Sequence, residues 1–211
     1  MKSVILAGGL GSRISEETHL KPKPMIEIGG KPIIWHIMKR YSMYGIREFV
    51  ICSGYMSHII ENYFKEKIED WEVKVINTGK NTMTGGRLKR IEKYIENETF
   101  CFTYGDSLNS ENISELIKFH KKSGKIATVT ACHPPEKYGV LKLENDMVKR
   151  FEEKPARNNE WVNAGYFVLE PQIFNFIKDD STIWEKEPMK KIVDQDQLAA
   201  FKYEGFYKSM D

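Results

Sequence analysis

Residues 3–7 (Ser-Val-Ile-Leu-Ala) form a short apolar run that breaks directly into Gly8-Gly9, with a further glycine at position 11. Such a run reads as a buried strand, and the glycines after it let the backbone turn tightly and come close to a ligand. Their amides can face phosphate oxygens. The same alternation continues along the chain. Apolar runs at 48–52, 72–76, 100–104, 127–132 and 162–169 read as strands, and helical patterns are expected at 57–65, 87–95 and 112–122. Residues 25–28 form a further short extended piece. Pro32 then opens a helix that places Ile34, Ile37, Met38 and Tyr41 on one face. Residues 140–143 and 148–152 read as a hairpin, and 199–203 as a last strand. The expected fold is α/β: one Rossmann-like domain over 1–211, with a mixed, mainly parallel sheet flanked by helices.

Three groups of residues carry chemistry. The first is Leu6-Ala7-Gly8-Gly9-Leu10-Gly11-Ser12-Arg13, a glycine loop closed by a forked donor suited to a triphosphate. A plain turn with a surface arginine fits the same residues. Two familiar phosphate loops are excluded. A dinucleotide fingerprint starting at Gly9 needs glycine where Ile14 stands, and Gly30-Lys31 is followed by Pro32 instead of Ser or Thr. The second group is Lys21-Pro22-Lys23-Pro24, where each proline holds the lysine before it extended and makes a stiff strut bearing two cations. The third is Asp106, just past a buried strand, where a carboxylate is well placed for Mg²⁺ or simply caps a turn.

Thirty-two basic against thirty acidic residues leave a formal charge of +2, without the basic excess of a nucleic-acid binder. Cys52, Cys101 and Cys132 each lie in an apolar run and suit buried packing in a reducing cytoplasm. The N-terminal apolar stretch is too short to span a membrane. The five histidines show no nucleophile or metal spacing, and Trp35 and Trp71 are expected in the core.

Taken together, these groups resemble the sugar-phosphate nucleotidyltransferases, whose signature is Leu-Ala-Gly-Gly-x-Gly-Ser/Thr-Arg followed by Lys-Pro. KPKPMIEIGG at 21–30, PIIWHIM at 32–38, MTGGRLKR at 83–90, FTYGD at 102–106, WEKEP at 184–188 and Met210-Asp211 look like the glucose-1-phosphate cytidylyltransferase subgroup. The resemblance implies Mg²⁺-dependent transfer of a cytidylyl group from CTP to a phosphorylated acceptor, with release of pyrophosphate. It implies that Leu6, Ala7, Gly8, Gly9, Gly11 and Ser12 wrap the nucleotide, Arg13 holds the leaving pyrophosphate, and Lys23 stabilises the α-phosphoryl charge. Gly85, Gly86 and Arg87 would read the base, and Asp106 and Asp211 would share the metal. Lys154, Asn163, Gly165 and Glu185 would hold the acceptor.

Members of that subgroup usually carry a long insertion where residues 68–77 here connect almost directly, and they continue past the position of Asp211. The acceptor is therefore open between a sugar 1-phosphate and L-glutamine phosphate, the latter for capsule phosphoramidate synthesis. A homo-oligomer is expected. A nucleotide-binding regulatory homologue without catalysis is the competing class, against which stands the presence of Arg13, Lys23, Asp106 and Asp211.

Overall fold

The computed structural model describes residues 1–9, 20–66, 68–133, 140–144, 147–152 and 161–210. A seven-stranded sheet runs in the order β12-β8-β11-β6-β1-β4-β5. Its strands are β1 (Lys2–Ala7), β4 (Glu48–Ser53), β5 (Glu72–Asn77), β6 (Phe100–Tyr104), β8 (Ala127–Cys132), β11 (Val162–Leu169) and β12 (Leu198–Tyr203). All run the same way except β11, which is antiparallel to both β6 and β8. The mixed, mainly parallel sheet expected from the sequence is therefore present. Outside it lie β9 (Val140–Glu144) with β10 (Met147–Glu152), and two short pairs: β2 (Glu27–Ile28) with β3 (Lys31–Pro32), and β7 (Ser107–Asn109) with β13 (Tyr207–Ser209).

Period-two side-chain alternation divides β1 between the two faces of the sheet. Val4 and Leu6 join a core with Leu88, Ile91, Phe174 and Trp184, while Ile5 and Ala7 pack with Ile34, Ile37, Met38 and Tyr41. The second group lies on α1 (Ile33–Met43), on the face expected for it. Further helices are α2 (Ser57–Tyr63), α3 (Thr84–Ile91), α4 (Ile113–Ser123) and α5 (Glu187–Asp194). The side chain of Asn112 accepts from the amide of Glu115 and caps α4, and Gly124 closes it at φ +63°. All three cysteines are free and buried. Burial lifts the Cys52 and Cys101 thiols to about 12, so neither is a ready nucleophile.

Two local expectations are corrected. Helix α3 begins at Thr84, so Gly85 and Gly86 lie inside its first turn and not in a turn before it. Neighbouring chain explains this. A Cβ on Gly86 would come 2.5 Å from the Cα of Asp180, and one on Gly85 would come 2.8 Å from the carbonyl of Thr182. Arg90 on α3 grips Asp180 through two hydrogen bonds of 2.9 and 2.5 Å, fixing that approach. The second correction concerns the lysine-proline strut, which folds into a 3₁₀ turn at Lys23–Met25 that buries all three residues.

Candidate active site

The carboxyl ends of β1 and β6 open into a cavity of about 330 Å³ beside the N-terminus of α3. Leu6, Ala7, Gly8, Gly9, Lys23, Arg87 and Asp106 all line it, brought together from distant parts of the chain. Lys23 Nζ lies 2.9 Å from Asp106 Oδ2, although 83 residues separate them. Gly105 makes that approach feasible, since a Cβ there would come 2.9 Å from the Pro24 ring and 2.8 Å from the Leu6 carbonyl. Lys23 is only 6% exposed, so its charge faces the cavity more than bulk water.

A second cavity of about 360 Å³ adjoins the first and holds Asn163, Gly165 and Glu185. Thr84, Tyr104 and Asp106 line both and form the wall between them. Glu185 is tied to that wall, accepting from the Tyr104 hydroxyl and, at 2.7 Å, from Thr84 Oγ1. Thr84 Oγ1 in turn accepts from the amide of Trp184 at 2.9 Å. Burial first, and the adjoining Glu185 carboxylate second, push the Tyr104 phenol far above its usual range, so it stays a neutral donor. Gly165 adopts φ +78° beneath the Tyr104 ring, where a Cβ would come 2.7 Å from it. Its amide donates to Asn163 Oδ1 at 2.7 Å.

Of the residues expected to read the base, Arg87 lines the first cavity and Gly85 and Gly86 do not. Gly85 and Gly86 pack on residues 180–182, and Thr82, Met83 and Thr84 take their place at the cavity. Arg87 lines the cavity wall, but its guanidinium donates to the carbonyls of Gly8 (2.8 Å), Gly79 (2.7 Å), Ser53 (3.2 Å) and Lys80 (3.4 Å), and to the Thr78 hydroxyl (2.8 Å). Gly11, Ser12, Arg13, Lys154 and Asp211 lie outside the described residues. The chain just before Asp211 is nonetheless anchored here. Strand β13 pairs with β7, and the amide of Met210 donates to the Asp106 carbonyl at 2.8 Å. Sequence reading missed Thr82, Met83, Thr84, Tyr104, Tyr207 and Ser209 as lining residues. Thr84 and Tyr104 stand inside the quoted MTGGR and FTYGD motifs, which is where a signal lay.

Among the described residues no three His, Cys, Asp or Glu side chains gather into a metal cluster. Asp106 still fits a divalent cation of the Mg²⁺ kind, which takes one or two carboxylates and completes its shell with substrate phosphates and water. Its carboxyl group stands on the wall common to both cavities.

A buried cation paired with a carboxylate just past β6, the carboxylate standing between two adjoining cavities, suits the meeting of two anionic substrates. The model of the nucleotidyl transferase family matches residues 2–207, and the chain belongs to that family of enzymes. It is 45% identical over 234 aligned residues to the glucose-1-phosphate cytidylyltransferase of Salmonella typhi, covering all of this chain and 91% of that protein. It is also 39% identical over 233 residues to a probable glucose-1-phosphate cytidylyltransferase of Bacillus subtilis (strain 168), with the same coverage. Among solved structures, HddC from Yersinia pseudotuberculosis complexed with GMP-PN superposes with a TM-score of 0.77 at 25% identity, covering 99% of this chain and 92% of that one.

Proposed function

We propose that the chain transfers the cytidylyl group of CTP to a sugar 1-phosphate, with glucose 1-phosphate as the acceptor. The observation that carries this reading is the Lys23–Asp106 pair, with Lys23 in the cavity that Gly8 and Gly9 line and Asp106 on the wall it shares with the cavity bearing Asn163 and Glu185. Similarity to the Salmonella and Bacillus proteins supports cytidine and glucose 1-phosphate over other nucleotides and acceptors.

In this reading CTP lies in the first cavity, its phosphates over Gly8 and Gly9 with Arg13 toward the leaving end. The acceptor enters the second, its phosphate held by Lys154 and its hydroxyls by Asn163, Gly165 and Glu185. A phosphate oxygen of the acceptor attacks the α-phosphorus in line, the bond from that phosphorus to the bridging oxygen breaks, and pyrophosphate leaves. Lys23 neutralises charge growing on the α-phosphoryl oxygens, and the neutral Tyr104 phenol keeps Glu185 oriented toward the sugar. Mg²⁺ held by Asp106 and Asp211 would supply charge neutralisation on the phosphates. Cytoplasmic residence is part of the proposal, supported by the three free buried thiols. No helix among the described residues is long and apolar enough to cross a membrane.

The test is pyrophosphate release from each of the four nucleoside triphosphates, with glucose 1-phosphate and L-glutamine phosphate assayed side by side. Release with CTP and glucose 1-phosphate, and a CDP-glucose mass in the product, is the expected result. Release only with glutamine phosphate would move the acceptor outside sugars, and no release with CTP and any acceptor would refute the proposal.

A further inference from the structure

We infer that Arg87 is a positioning residue that aims the glycine loop at the nucleotide, and that Gly8 and Gly54 are glycines in order to admit its guanidinium. The inference rests on the cytidylyltransferase reading for its ligand, and its structural claim stands on geometry alone. Arg87 comes from α3, on one core face of the sheet, and only 4% of it is exposed. Its five hydrogen bonds reach the end of β1 at Gly8, the end of β4 at Ser53 and the segment after β5 at residues 78–80. One planar group thus joins the carboxyl ends of three neighbouring parallel strands. An ammonium group, a point donor on a flexible stem, cannot span that set.

Space around the guanidinium is reserved for it. A Cβ on Gly8 would overlap its terminal nitrogen, and one on Gly54 would overlap that nitrogen while also coming 2.6 Å from the Gly79 carbonyl and 2.8 Å from the Gly8 carbonyl. Gly8 has no left-handed φ to explain it, and neither has Gly54. The familiar reason for a glycine in such a loop, close approach of phosphate to backbone, applies to Gly9, around which a Cβ would meet nothing. At Gly8 the side-chain place is taken from inside the protein.

The consequence follows from the planar peptide. The Gly8 carbonyl and the Gly9 amide belong to one trans unit and point in opposite directions. Drawing the carbonyl down to Arg87 turns the Gly9 N–H to the other side, and Gly9 lines the cavity. Tyr55 adds a second grip on the same carbonyl, its amide donating at 3.3 Å. Among the described residues no carboxylate pairs with Arg87, so its charge is met by carbonyl dipoles and leaves a positive field under the loop. Both effects favour a polyanion, and only the first depends on the fork.

The experiment compares Arg87→Lys, which keeps the charge, with Gly54→Ala, which displaces the guanidinium from a position that does not line either cavity. Amide hydrogen exchange of the ligand-free protein reads the brace directly. Exchange in segments 6–9 and 53–55 should quicken about tenfold or more in both variants, with α4 unchanged. Both should lower kcat/KM for CTP about 10–100-fold, while KM for the acceptor moves less than about twofold. Unchanged exchange in Arg87→Lys, or full activity in that variant, would overturn the inference. Should Arg87→Lys fail to fold, the Gly54→Ala arm decides by the same criteria. Wild-type protein that fails to turn over CTP would instead refute the functional reading, leaving the exchange result to judge the brace.

Discussion

Glu111 is fully buried, and replacing it with glutamine should change how stability responds to pH. Burial raises its carboxyl group from 4.5 to about 7; the hydrogen bond from Thr130, the neighbouring Asn109 amide and the charge of Arg40 oppose the rise without cancelling it. The Thr130 hydroxyl lies 2.6 Å from Oε2, and Arg40 donates to the Glu111 backbone carbonyl. Below pH 4.5 both folded and unfolded chains carry the proton. Between 4.5 and 7 the folded chain keeps a proton that the unfolded chain releases, so stability falls as pH rises, and the loss is complete above 7. At about 1.4 kcal/mol for each tenfold change in proton affinity, the full loss is about 3 kcal/mol. Glu111→Gln stays neutral throughout and keeps an acceptor for Thr130. The variant should match the wild type near pH 4 and exceed it by about 3 kcal/mol at pH 8, roughly 6–12 °C in melting temperature. Urea unfolding of both proteins at pH 4, 5, 6, 7 and 8 measures the difference, in which all other titrating groups cancel. Parallel stability curves for the two proteins would refute the reasoning.

Lys23→Ala should lower kcat by about 10²–10³-fold in the pyrophosphate-release assay, the loss typical of one positioned donor to transition-state charge. Arg13→Ala should do the same. Tyr104→Phe should raise KM for the acceptor by several-fold with KM for CTP nearly unchanged, because the loss falls on the Glu185 side of the shared wall. Gly86→Ala should destabilise the fold by about 1–3 kcal/mol through overlap with Asp180, read as a lower urea midpoint at an unchanged slope. EDTA should abolish turnover, and Mg²⁺ should restore it.

The fold was legible wherever burial alone determines structure. Residues 3–7, 48–52 and 100–104 gave away the strands because both faces of each are covered, leaving little alternation to confuse them with helix. What escaped depended on partners distant in sequence. Gly85-Gly86 reads as a turn locally, and only residues 180–182 make it helix. The Lys23-Pro24-Met25 turn is likewise set by docking under Gly105, which local propensity cannot foresee. At the site, Lys23 and Asp106 were found from charge and from position after a strand. Arg87 was singled out as a base reader, since an arginine in a glycine context suggests a ligand, and its five backbone and hydroxyl acceptors from three segments leave no trace in sequence.

The reversed direction of β11 separates two jobs that a wholly parallel sheet would mix. Its neighbours deliver their last residues to the reaction edge, whereas β11 delivers its first, since Asn163 lies opposite Ala131 near the end of β8. The strand's later residues, Tyr166 to Leu169, stay locked against β6. On the proposed reading, the start of β11 can therefore vary at the acceptor cavity while its far end keeps the sheet intact.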